Sequence, residues 1–168
     1  MFEVKINDAM RSESHHQAEC LGVLKGSITK GKGNVFGFLG EQIALSVLGG
    51  ELVNTFDYDL VIPAPPTGKL KIDVKTKRTS VKPLPHYECS VADITRKQDC
   101  DYFAFVRVLN DQTKGWFLGM KKRNVYFDEA TYLKRGDKAP SNNFTVRANC
   151  YNMAISALEP DFRTNYDV

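Results

Sequence analysis

The segment Val35–Leu48 constrains this chain more than any other. Read as a helix, with Asn34 as its N-cap and Gly49-Gly50 as its stop, it carries Phe36, Phe38, Leu39, Ile43, Ala44, Leu45, Val47 and Leu48. It is apolar nearly all round, and such a helix belongs inside a fold. Layers of other elements must therefore cover it. A chain of 168 residues is long enough to supply them in one domain with a real core.

The remaining patterns supply candidates for those layers. Phe2–Ile6 reads as a strand, and a helix is expected around Gln17–Leu24. Phe56–Ile62 reads as a strand ended by Pro63, Pro65 and Pro66. After the turn Pro66-Thr67-Gly68 comes Lys69–Lys77, where Leu70, Ile72 and Val74 alternate with polar neighbours; the two strands suggest a hairpin. Residues 86–91 predict a further strand, Ala92–Asp99 a helical turn, Tyr102–Leu109 a central strand and Trp116–Met120 its neighbour. Asp128–Lys134 looks helical, and Asn149–Leu158 reads as a strand or a short helix. A helix, then several strands, then mixed elements give an α/β (α+β) layered domain spanning residues 1–168.

Composition narrows the functional classes only in part. No apolar stretch reaches the length of a transmembrane helix, and the N-terminus lacks the layout of a secretory signal. The expectation is no membrane association and a cytoplasmic, reducing setting, as in a bacterial or phage-infected cell. Cys20, Cys89, Cys100 and Cys150 show neither CxxC spacing nor a dense pattern and are expected to be free thiols. A zinc site from His15, His16 and Cys20 is disfavoured because adjacent histidines point apart. The net charge of +3 is too mild to identify a polyanionic partner. The basic residues do cluster, at Lys25, Lys30 and Lys32, at Lys69 and Lys71, at Lys75, Lys77, Arg78 and Lys82, and at Lys121, Lys122 and Arg123. Such runs suit a phosphate backbone, although solvated turns are their commoner fate. There is no phosphate-cradling GxxxxGK[ST] loop.

Three acids stand out. Glu41 shares a helix face with Phe38, Ala44, Leu45 and Leu48, where a carboxylate is expensive unless a cation or several donors meet it. Gly37 and Gly40 beside it allow another backbone to approach. Asp73 and Lys75 leave one face of their strand, roughly 6–7 Å apart, with Leu70, Ile72 and Val74 on the other. Asp59 lies in an otherwise core-like run, deeper than its rival Asp57. The bland alternatives are a core-edge salt bridge for Glu41 and a solvated strand face for the Asp-Val-Lys triplet. Two neighbouring strands and an adjoining helix can nevertheless bring three carboxylates to one divalent ion, which would relieve their repulsion. Lys75 could then orient the attacking water or neutralise developing charge.

The order Glu41, Asp59 and Asp73-Val74-Lys75 resembles the PD-(D/E)XK nuclease superfamily, whose restriction-endonuclease-like fold includes Holliday junction resolvases and phage nucleases. The segment GKGNVFGFLGEQIALSVLGG is similar to the family's opening helix, and DYDLVI and KIDVKTK to its two catalytic strands. Tyr58 stands where the motif has proline, and the second acid is aspartate where glutamate is frequent. The resemblance implies a mixed central sheet flanked by helices. It implies that Glu41, Asp59, Asp73 and the main-chain carbonyl of Val74 hold Mg2+, with Mn2+ as a substitute, and that Lys75 is the catalytic lysine. DNA is the implied substrate, approached by Lys32, Lys69, Lys77 and Arg78, and a homodimer is left open because many members cut two strands as dimers. Gln98 stands as an accessory candidate against the plainer reading of a solvated glutamine. The competing classes are a non-catalytic nucleic-acid-binding or interaction module with the same fold, and an enzyme acting on RNA or a small phosphodiester.

Overall fold

The computed structural model describes residues 1–21 and 34–160, apart from 54, 65, 67, 141 and 142. Strand β1 (Phe2–Lys5) leads into helix α1 (Asp8–Leu21). This helix starts well before the expected Gln17 because Asn7 caps it, its Oδ1 accepting from Met10 N at 2.8 Å. Residues 22–33, with Lys25, Lys30 and Lys32, lie outside the described residues.

Helix α2 (Asn34–Leu48) buries Phe36, Leu39, Ile43, Ala44 and Leu48. It ends as the glycine pair predicts: Gly49 and Gly50 take φ values of +72° and +96°, and Gly49 N donates to Leu45 O at 2.8 Å. Strand β2 (Glu51–Leu52) follows.

The hairpin is present, but its first strand is shifted. Strand β3 runs over Leu60–Ala64 rather than 56–62. Thr55 Oγ1 donates to Tyr58 O at 2.6 Å and accepts from Tyr58 N at 3.1 Å, so residues 55–58 form a turn where strand was expected. Pro63 sits within β3, past the end of its pairing with β2, where an edge tolerates it. Strand β4 (Gly68–Thr79) runs antiparallel to β3 and parallel to strand β6 (Tyr102–Leu109), which is buried up to Val108. Between β4 and β6 lie strand β5 (Glu88–Ala92) and a 3-10 turn over Asp93–Lys97. Strand β7 (Lys114–Lys122) completes a six-stranded mixed sheet, ordered β1-β7-β6-β4-β3-β2.

The expected helix over Asp128–Lys134 is displaced. Helix α3 spans Arg123–Glu129, anchored by buried Tyr126, whose hydroxyl donates to Tyr151 O at 2.8 Å. The extended backbone of Ala130 stops it, and Thr131–Leu133 form strand β8. Their β-branched and aromatic side chains suit a strand, and β8 pairs with strand β9 (Cys150–Ala154). The stretch from 149 to 158 is therefore strand first, then a 3-10 turn over Ile155–Ala157. A second, antiparallel sheet, β5-β9-β8, results.

The central sheet is covered on both faces. On one, Ile72, Val74, Ala104, Val106 and Val108 meet Leu39, Ile43 and Leu48 of α2. On the other, Phe103, Phe105, Trp116 and Leu118 meet Val91, Tyr126, Tyr151 and Met153. The chain is thus mixed α/β, with a curled mixed sheet flanked by helices. All four cysteines are free. Among the described residues no helix is long and apolar enough to cross a membrane.

Candidate metal centre

Alternation decides which side chains of β4 can reach a common site. Ile72, Val74 and Thr76 turn toward α2, whereas Asp73, Lys75 and Lys77 turn toward the second sheet. The two faces communicate at one place. Strand β3 pairs with β4 only over Gly68–Ile72, so from Asp73 onward β4 has β6 as its single strand neighbour among the described residues.

Asp59 occupies the point where β3 departs. Its N donates to Ile72 O and its O accepts from Val53 N, both at 2.9 Å. Its carboxylate lies along the edge of β4, with Oδ2 accepting from Val74 N at 2.7 Å. Asp59 thus stands in for the missing strand partner, and its position just ahead of β3 is what permits this.

Glu41 comes from the other layer. Gly40, immediately before it, rests against β4 so closely that a Cβ there would lie 1.8 Å from Thr76 Oγ1 and 2.9 Å from Thr76 Cβ. This approach is possible only for glycine, and it brings the next residue to the sheet edge. Gly37 makes no such contact. Burial first, and then the neighbouring Asp73 carboxylate, push the Glu41 carboxyl up to about 7.

Asp73 is 3% exposed. Lys75 Nζ lies 2.5 Å from its Oδ2, yet that oxygen has no aligned hydrogen-bond partner among the described residues. Burial, then Glu41 and then Asp73 hold the Asp59 carboxyl well above the usual carboxylate range, with the Val74 N–H and Lys75 acting in the opposite direction. Glu41, Asp59 and Asp73 therefore share one electrostatic environment, with Lys75 beside it.

Gln98 belongs to this cluster, against the plainer reading of its sequence position. Its Oε1 accepts from Lys75 Nζ at 3.3 Å, and its Nε2 donates to Phe56 O at 2.8 Å. It fixes the lysine and ties the loop before Asp59 to the turn after β5. The expected basic residues separate by face. Lys69 and Lys77 lie on the Asp73 side of β4. Arg78 leaves on the other, 4.4 Å over the Phe36 ring and 3.3 Å from Asn110 Oδ1.

The chemistry of the cluster suits a hard divalent cation: three desolvated carboxyls, one oxygen left without an aligned donor, and a single ammonium to balance them. The carboxyls do not yet form a closed cage. Among the described residues no three His, Cys, Asp or Glu side chains converge closely enough to hold an ion, and the Lys75 ammonium rests on Asp73. Binding an ion here requires that ammonium to move off Oδ2. Compared with known proteins, the chain matches no protein-family model, and no curated protein is similar enough to count as a relative.

Proposed function

We propose that this chain is a magnesium-dependent deoxyribonuclease, an endonuclease of the PD-(D/E)XK type with a restriction-endonuclease-like core. The observation that carries the reading is the electrostatic influence of Glu41, Asp59 and Asp73 on one another, although they are distant in sequence, with Lys75 lodged on Asp73. Glu41, Asp59 and Asp73, with the Val74 carbonyl, would hold Mg2+ or Mn2+. The ion supplies a more acidic water and offsets charge on the phosphoryl oxygens.

The chain's own groups do the rest. Lys75, freed from Asp73 and steered by Gln98, directs the attacking water and balances charge building on the phosphorus. The raised carboxyls of Glu41 and Asp59 would have to be deprotonated to hold the ion. Lys69 and Lys77, on the Asp73 face, meet the DNA backbone, whereas Arg78 is held on the opposite face over Phe36. A homodimer would allow both strands of a duplex to be cut.

One observation favours a second reading. With Lys75 lodged on Asp73 and no closed cage among the described residues, the alternative is a non-catalytic nucleic-acid-binding module that keeps the same fold. A cleavage assay in magnesium over linear, circular, single-stranded and branched DNA separates the two. The nuclease cuts at least one form, and Asp73→Ala and Lys75→Ala each lose roughly a hundredfold or more in rate. Cutting at wild-type rate by both variants, or none by the wild type, overturns the proposal.

A further inference from the structure

A cavity of about 180 Å3 opens beside the carboxylate cluster, between β4, β6 and β5, lined among others by Lys75, Lys77, Arg107, Glu88, Cys89 and Ser90. Lys77 and Arg107 are direct cross-strand partners in the β4–β6 ladder, so two cations stand side by side at one wall. Arg107 is only 8% exposed. Its Nη2 donates to Glu88 O at 3.0 Å and its guanidinium lies 5.2 Å over the Tyr87 ring, which fixes its plane. Its Nε, however, has no hydrogen-bond partner among the described residues. Among the described residues neither Arg107 nor Lys77 forms an ion pair.

A buried guanidinium without an ion-pair partner is costly, and the surroundings offset its charge only in part. Cys89, at the same wall, is pushed up to about 12 by burial, and so remains a neutral thiol. The Glu88 carboxylate lines the same cavity and offsets part of the charge on Lys77, but it pairs with neither cation among the described residues, and its Oε2 accepts from Asn152 Nδ2 at 3.1 Å. Burial and then Arg107 hold the Lys77 amine below the usual lysine range, a cost that an incoming anion would remove. The fork of an arginine matches phosphate oxygens.

We propose that this cavity is a phosphate-binding subsite, in which Arg107 and Lys77 grip a phosphate one strand step from Lys75. Residues 75 and 77 are separated by about 7 Å along β4, comparable to the step between neighbouring phosphates on a nucleic-acid strand. The subsite thus takes the phosphate next to the bond at the carboxylate cluster, and it rests on the nuclease reading for the identity of that anion. Either an internal or a terminal phosphate presents this chemistry.

Binding is measured in EDTA, so that it does not depend on cleavage. Wild type, Lys77→Gln, Arg107→Gln and a remote charge control, Lys134→Gln, are titrated with inorganic phosphate and with short single-stranded oligonucleotides bearing or lacking a 5′-phosphate. The wild type and the control bind inorganic phosphate, and Lys77→Gln weakens this about tenfold or more. Lys77 is solvent-accessible, so its variant keeps the test decisive should Arg107→Gln fail to fold. Tighter binding of the 5′-phosphorylated oligonucleotide assigns a terminal phosphate, and equal binding of both oligonucleotides an internal one. Absence of phosphate binding by the wild type, or equal binding by wild type and Lys77→Gln, overturns the subsite and leaves Arg107 as a tie between the sheets. A protein that binds phosphate in this manner but cuts no DNA in magnesium refutes the nuclease reading alone.

Discussion

Replacing Glu41 with glutamine should stabilise the metal-free protein at alkaline pH while abolishing its function. The Glu41 carboxyl moves from an ordinary 4.5 to about 7 in the folded chain, so the fold prefers it protonated. Below pH 4.5 it is protonated in folded and unfolded chains alike and imposes no penalty. As the pH rises toward 7, the unfolded chain releases its proton and the folded one retains it, so stability falls with pH. Above that range the ionised carboxylate sits in the fold at a cost of roughly 3 kcal/mol. Glutamine keeps the shape and never ionises. In EDTA at pH 8, Glu41→Gln should therefore exceed the wild type by about 2–3 kcal/mol, or roughly 5–10 °C in Tm, and at pH 4 the two should coincide. Thermal unfolding followed by circular dichroism across this range measures both. Saturating Mn2+ should restore the wild type at pH 8 and leave the variant unchanged. A variant no more stable than wild type at pH 8, or a difference that ignores pH, refutes the assignment of Glu41 to a desolvated acidic cluster.

Gly40→Ala should destabilise the protein by about 1–3 kcal/mol, read as a lower urea midpoint, because its Cβ meets Thr76 Oγ1 at 1.8 Å. Adding Thr76→Ala should restore only part of the loss, since Thr76 Cβ remains 2.9 Å away. Gln98→Ala should change stability by less than about 1 kcal/mol. It should lower kcat by about tenfold by freeing Lys75, with divalent-ion affinity unchanged in a parallel titration.

The carboxylate cluster was legible to the extent that it depends on local periodicity. Strand alternation places Asp73 with Lys75, and the apolar surroundings of Glu41 mark it as an anomaly, with Gly40 as the reason α2 can approach. Asp59 stands out as an acid in an apolar run, but not as a residue ahead of its strand, because the Thr55 hydroxyl turns the chain where hydrophobicity suggests continuation. Helix α3 was misplaced because Tyr126 finds its hydroxyl partners in β9 and β5, contacts distant in sequence. The second sheet is equally non-local, since β8 is a strand only because β9 lies beside it. Gln98 sits in a polar turn and has the local pattern of a solvated glutamine; its partners Lys75 and Phe56 are distant in sequence. Arg107 carries no local signal, because its significance comes from the burial of the apolar run around it.

Calorimetric titration with Mn2+ at pH 6.5, repeated in buffers of different ionisation enthalpy, tests the proposed metal centre most directly. A carboxyl held near 7 is largely protonated at that pH and must lose its proton to a bound ion. The wild type should bind the ion and release protons, and Asp73→Asn should do neither. Binding that is unaltered by Asp73→Asn, or no binding by the wild type, contradicts the joint action of Glu41, Asp59 and Asp73.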